Sequence, residues 1–225
     1  MSYIYLSHIL DAQTPGFGGN ADFKLELVRK MCEGGSCNSS RVEVSMHLGT
    51  HVDAPYHFCE SGDTVETFRA QDWIFKHVSL VHLEDVLSGT LIGVGSWCEK
   101  LSTDTELILL KTGFEKYRNS PLYWQENPGI HAELGVWLRK HRPSVRVLGF
   151  DFISASSFTN REMGRTAHKA FLCKDEANTH PILFMEDLSL CELEKNPEEV
   201  IALPLRVRGA DGAPMTIIAR MAEEA

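Results

Sequence analysis

Between His47 and His57 the sequence reads HLGTHVDAPYH, three imidazoles and one carboxylate within eleven residues. This stretch restricts the backbone more tightly than any other. A helix would bring positions four apart together, but Gly49, the β-branched Thr50 and Val52, and Pro55 all oppose one. A fully extended chain, rising ~3.3 Å per residue, would hold His47 about 13 Å from His51, too far for two ligands of one ion. The chain must therefore bend, with Gly49 as the hinge. His51 and Asp53, two apart, then share one face of a short extended segment, with His47 folded back beside them. Such a site is built on a strand end.

Around that bend, strand-length apolar runs alternate with helical segments. Arg41 to Met46 alternates Val42, Val44 and Met46 with Glu43 and Ser45, which predicts a half-buried strand leading straight into the histidines. The runs His77 to Leu83, Glu106 to Lys111, Val145 to Phe150, Ile182 to Met185 and Val200 to Val207 are rich in Val, Ile and Leu and predict a mostly buried sheet. Met215 to Met221, joined to the last of these through Gly209-Ala-Asp-Gly212, predicts a closing hairpin. Asn127-Pro128 is expected to cap a helix with Ile130, Leu134, Trp137 and Leu138 on one face, ending near Arg142-Pro143, and a second helix is expected over Arg161 to Leu172. The expected fold is α/β: one domain over residues 1–225, with a mixed-sheet or barrel-like core and flanking helices. Strand order stays open.

The chain carries 31 acidic and 22 basic side chains, a formal charge of −9, without a block of like charges. Nucleic acid and anionic membranes are poor partners for it. The start, MSYIYLSHILDAQ, has no basic leader region, and no run reaches the about 18 apolar residues of a membrane span, so a cytoplasmic location is expected. Six cysteines without a CxxC pair read as reduced thiols packed as small hydrophobes, with Cys32 and Cys37 the pair placed to bridge across a turn.

A mixed His/Asp set suits Zn2+ or Mn2+ and usually leaves a coordination position open to water, whereas structural zinc favours a closed, Cys-rich set. The rival readings are histidines hydrogen-bonded in a surface loop and a purely structural metal. The HxGTHxDxPxH pattern, complete from His47 to His57, resembles the signature of the cyclase-like family that includes bacterial kynurenine formamidases and isatin hydrolase. Leu110-Lys-Thr-Gly113, Gly149-Phe-Asp151, Ile201-Ala-Leu-Pro-Leu-Arg206 and Asp211-Gly-Ala-Pro214 look like further landmarks of that family.

The resemblance implies a swivelling β/α fold. It implies that His47, His51 and Asp53 bind metal, with Asp53 bridging where there are two ions, and that His57 is the catalytic acid/base. It extends to His168 and Glu186 as the residues completing a second metal position, and to a homodimer or homotetramer whose subunits contribute to neighbouring sites. Lys111 stands where the family commonly has Arg, and Cys173 to His180 looks like an insertion between His168 and Glu186.

Outside the motif, Asp151 ends an apolar strand and reads as supporting or structural. His8, His77, His82, His131, His141 and His180 read as structural or surface residues. Phe58, Trp73 and Trp97 are candidates for an aromatic pocket, with core packing the default. Cys59 reads as packing beside His57 rather than as a nucleophile, because a metal would already activate water.

The expected chemistry is hydrolysis of a small amide, cyclic imide or lactone: the metal lowers the pKa of water from ~15.7 toward 7, the hydroxide attacks a polarised carbonyl, and His57 protonates the leaving group. A metal-assisted cyclisation or dehydration with His57 as base, and a non-catalytic metal or ligand-binding module, are the alternatives.

Overall fold

The computed structural model describes residues 2–20, 22–83, 86–174 and 180–222. Residues 175–179, which make up most of the expected insertion, lie outside them. In chain order the elements are β1 (Ser2–Tyr5), β2 (Phe23–Arg29), β3 (Ser39–Val44), β4 (His51–Asp53), β5 (Ile74–Phe75), β6 (Val78–His82), β7 (Leu91–Ile92), α1 (Ser96–Glu99), β8 (Leu107–Lys111), α2 (Pro121–Gln125), β9 (Gly129–Ile130), α3 (Ala132–His141), β10 (Val147–Phe150), α4 (Arg161–Leu172), β11 (Leu183–Glu186), β12 (Glu199–Pro204) and β13 (Gly212–Met221).

Nine strands form one mixed sheet in the order β5-β12-β13-β4-β11-β10-β8-β6, with β1 added alongside β13. The strands β6, β8, β10 and β11 run parallel, and β4 joins them antiparallel. The edge strands β5 and β6 are separated in the chain by only Lys76 and His77, so the sheet curls until its ends approach each other. The expected α/β class with a barrel-like mixed sheet is what forms.

Side chains alternate across each strand, and this sorts the apolar residues into two cores. Leu107 and Leu109 of β8, Val52 of β4 and Met185 of β11 point into the curl of the sheet, together with Phe75 and Ile217. Ile108 and Leu110, Leu148 and Phe150, and Phe184 point the other way, against Leu134 and Leu138 of α3 and Phe171 of α4. Each such fully buried Leu or Phe contributes roughly 1.5–3 kcal/mol of transfer free energy. Because Val52 and Met185 occupy the inner face, His51, Asp53 and Glu186 necessarily emerge on the outer face, toward α4.

The helix expected over Arg161 to Leu172 forms with those bounds, begun by the Asn160 side chain, which accepts from the Met163 amide. Its buried stripe is Gly164, Ala167, His168 and Phe171, the spacing of one helical face. The C-terminal hairpin forms as β12 and β13.

Several expectations are corrected. Arg41 to Met46 is not a half-buried strand running into the site. Its strand, β3, pairs with β2 in a separate two-stranded hairpin, and Val42 is 55% exposed. Alternation records the pleat of a strand but not whether anything covers its apolar face. The helix expected after Asn127-Pro128 starts later, at Ala132, with His131 as its cap, and Ile130 lies in the two-stranded pair β7–β9. Asn127 is buried instead, donating to the carbonyls of Pro128, Ser154 and Ser156. The thiols are not all reduced: Cys59 is disulfide-bonded to Cys173, while Cys32 and Cys37 are exposed and unpaired. A separation of 114 residues hid that pair from any spacing argument.

No helix among the described residues is long and apolar enough to cross a membrane.

Candidate metal centre

The bend at Gly49 is real, with φ +67° at that residue. That conformation favours glycine, and a side chain there would also press on Leu10 Cδ2 at 2.6 Å. Beyond the bend, β4 lies between β11 and β13, with His51 opposite both Glu186 and Pro214, and Asp53 opposite Phe184 and Gly212. His168 arrives from α4.

These elements gather His47, His51, Asp53, His168 and Glu186 into one cluster, all but His47 fully buried. His47 Nδ1 lies 2.8 Å from Asp53 Oδ1, and His51 Nε2 lies 3.5 Å from that oxygen and 3.3 Å from Glu186 Oε2. His168 Nε2 is 3.2 Å from Asp53 Oδ2 and 3.7 Å from Glu186 Oε1. These five residues make two overlapping donor sets, His47–His51–Asp53 and Asp53–His168–Glu186, with one Asp53 oxygen facing each, and a third, more exposed set, His47–His57–Asp211, shares His47.

Ala54 is extended ahead of Pro55, and the chain then enters a 3-10 turn, Pro55–His57. The extended conformation is confined to Ala54, the residue that proline's ring restricts. The turn lays the His57 ring on His47, centroids 3.9 Å apart, and its Nδ1 donates to Asp211 Oδ2 at 2.9 Å. Phe58 stacks on His168 at 4.3 Å.

The family profile described as "Putative cyclase" matches residues 4–156. The chain belongs to the cyclase family. Among its cyclase-family relatives, a protein named kynurenine formamidase from Bacillus cytotoxicus is 29% identical over 218 residues, 97% of each chain. One of the same name from Geobacillus thermodenitrificans is 28% identical over 217 residues, 95% of this chain and 94% of that one. Isatin hydrolase A from Labrenzia aggregata shares the fold, with a TM-score of 0.78 at 20% identity over 99% of this chain and 94% of the other. So does a structure described as a predicted metal-dependent hydrolase from Bacillus stearothermophilus, with a TM-score of 0.72 at 20% identity over 97% of each chain.

The donor chemistry of this cyclase-family site fits a divalent cation. His51 Nδ1 donates to the Gly49 carbonyl at 2.7 Å and His168 Nδ1 to the Gly164 carbonyl at 2.8 Å, which turns the Nε2 lone pair of each ring toward the carboxylates. Two buried carboxylates also need positive charge nearby. Without an ion the imidazoles must supply it. Burial opposes protonation of these rings, but hydrogen bonds to Asp211 and Asp53 carry His47 up to about 9, and bonds to Asp53 and Glu186 carry His168 up to about 10. His51 is likewise raised, and Asp53 is held low by its histidine partners against its own burial.

A cavity of about 260 Å3 opens on the cluster, walled by Phe17, Phe58 and Ile153, with Ser154 and Ser156 at its polar edge. The larger cavity, about 540 Å3, lies at the other end of the parallel strands. Its charges pair with one another, as in Arg69–Asp72, His77–Asp104 and Arg146–Glu106, so size alone does not mark the reactive end.

The structure brings His47, His51, Asp53, His57, His168 and Glu186 together around one cavity. Of the aromatic candidates only Phe58 reaches the cavity; Trp73 and Trp97 pack in the two cores. Asp151 accepts from the Thr112 and Gly113 amides and the Thr112 hydroxyl, anchoring the loop after β8. Cys59 is neither nucleophile nor free packing thiol but half of the disulfide. Sequence reasoning missed Phe17 and Ile153, ordinary apolar residues without a signal. It also missed the role of Asp211, which was visible as a hairpin-turn residue and as the first residue of the Asp211-Gly-Ala-Pro214 landmark.

Proposed function

We propose that this chain is a metal-dependent hydrolase that opens the C–N bond of a small amide or cyclic imide, or the corresponding bond of a lactone. The observation that carries the reading is the pair of donor sets sharing Asp53 at the floor of a small, aromatic-walled cavity. The names of its relatives, kynurenine formamidase and isatin hydrolase, support an aryl formamide or isatin-like imide as the substrate class.

His47, His51 and Asp53 would hold one ion, and Asp53, His168 and Glu186 a second; the nitrogen and oxygen donors suit Zn2+ or Mn2+. A divalent cation there supplies water activation and carbonyl polarisation. The protein supplies the rest. Phe17, Phe58 and Ile153 bind the apolar body of the substrate and exclude bulk water, and a cavity of about 260 Å3 admits only a small molecule. His57 has Nδ1 committed to Asp211, which leaves Nε2 to pass a proton to the leaving nitrogen or oxygen. Burial lowers its pKa, favouring the neutral ring that can first accept that proton.

We propose a homodimer or homotetramer; the Cys59–Cys173 disulfide weighs against the expected cytoplasmic location. The uncovered apolar residues Leu25, Leu27 and Val42 of the β2–β3 hairpin support a self-association surface.

The test is metal analysis of the purified protein, then hydrolysis assays on aryl formamides, isatin-like imides and lactones with that metal restored. Activity that survives complete metal removal ends the reading. Bound metal without turnover on the whole panel favours a binding module, and the absence of 18O incorporation from labelled water favours a cyclisation or dehydration.

A further inference from the structure

Asp211 lies in the turn between β12 and β13, far along the chain from the histidine motif. The backbone pins it beside the cluster: the Ala54 amide donates to the Asp211 carbonyl at 2.9 Å, and the Val65 amide donates to the Ala210 carbonyl at 3.1 Å. The next residue must be glycine for the turn to come so close, because a Cβ at Gly212 would stand 2.4 Å from His47 Cε1 and 2.8 Å from the Val52 carbonyl. From this position one carboxylate oxygen, Oδ2, lies 2.9 Å from His47 Nε2 and 2.9 Å from His57 Nδ1.

We infer that Asp211 is a positioning residue shared by a metal-binding histidine and the acid/base histidine, setting the ring orientation and proton location of both. The inference rests on the function proposed above. His47 turns Nδ1 toward the buried donor set, so Nε2–H is the group left to donate outward, and Asp211 receives it. The same oxygen holds the proton of His57 on Nδ1 and so directs the Nε2 lone pair of His57 into the cavity. The stacked rings, 3.9 Å apart, are thereby locked in register by one carboxylate. His51 and His168 use backbone carbonyls for this purpose; His47 and His57 share a side chain.

The test combines three measurements on the full chain. In Asp211→Asn, zinc affinity measured by competition with a chelating indicator should fall about 10–100-fold with unchanged stoichiometry, the usual effect of removing a ligand's hydrogen-bond partner. In the wild type, 15N NMR of the imidazoles should show His57 protonated on Nδ1, and in Asp211→Asn that preference should be lost. Turnover of an aryl formamide should fall in Asp211→Asn. With zinc saturating, the loss of turnover from Asp211→Asn should be smaller in a His57→Ala background than in the wild type while zinc is still weakened, which a merely structural residue would not do.

Loss of one zinc per chain in Asp211→Asn would make Asp211 a ligand and overturn the inference. Unchanged zinc affinity would overturn it too, as would an Nε2–H tautomer of His57 in the wild type, a reading that needs no variant to fold. If the wild type binds no divalent metal, the hydrolase reading fails, and the His57 tautomer still reports on Asp211.

Discussion

Cys59 and Cys173 are joined by a disulfide that ties the loop carrying His57 to the end of the helix carrying His168. Cys59 follows His57 by two residues, and Cys173 follows His168 by five. Two parts of the site far apart in sequence are thus covalently fixed to each other. Closing a loop of this length restricts the unfolded chain, by about 5 kcal/mol in the chain-entropy picture. Cys59→Ser should therefore lower Tm by on the order of 10 °C, at about 2–4 °C per kcal/mol for a chain of this size. Denatured, unreduced protein should titrate four thiols, those of Cys32, Cys37, Cys98 and Cys191. Six would show the bridge absent.

Asp53→Ala should cost more bound metal than His168→Ala. The Asp53 carboxylate faces both donor sets, whereas His168 belongs to one. Metal content after desalting is the measurement, and equal stoichiometry in wild type and Asp53→Ala would remove Asp53 from the ligands.

His57→Ala should retain most of its metal and its fold while losing on the order of 10²–10⁴ in turnover, the usual worth of a general acid/base. The loss should shrink for activated esters, whose leaving groups depart without a proton. Comparing kcat on an anilide and on a nitrophenyl ester decides the matter. Equal losses on both would show that His57 positions the carbonyl or the water instead.

The histidines predict a pH signature. An exposed histidine titrates at 6.5, and the carboxylates carry His47 to about 9 and His168 to about 10 in the metal-free fold. Folding therefore takes up protons between those limits. The stability these two groups contribute should be complete below pH 6.5 and lost as pH rises through 9 to 10. Zinc must displace the same protons, so at pH 7.5 its binding should release protons and tighten as pH rises. Calorimetry in buffers of different ionisation enthalpy reads this directly. Binding without proton release would mean that the imidazoles are already neutral.

The sequence by itself determined the local chemistry: which residue types crowd between His47 and His57, that Gly49 must turn the chain, and that Arg161 to Leu172 is a helix. These follow from sterics and periodicity over a few residues, which a single segment carries. The continuously apolar Leu107 to Leu110 run likewise announced a strand buried on both faces. What tertiary structure alone decided is everything that depends on distant segments meeting. Val52 is drawn into the curl of the sheet, and only that choice sends His51 and Asp53 outward to meet Glu186 and His168. The hairpin turn brings Asp211 against His47 across 164 positions, and Cys59 finds Cys173 across 114. By contrast β3, although patterned like a core strand, is left largely exposed among the described residues. Contacts between remote residues are set by the packing of the whole sheet, and no short stretch of sequence encodes that packing.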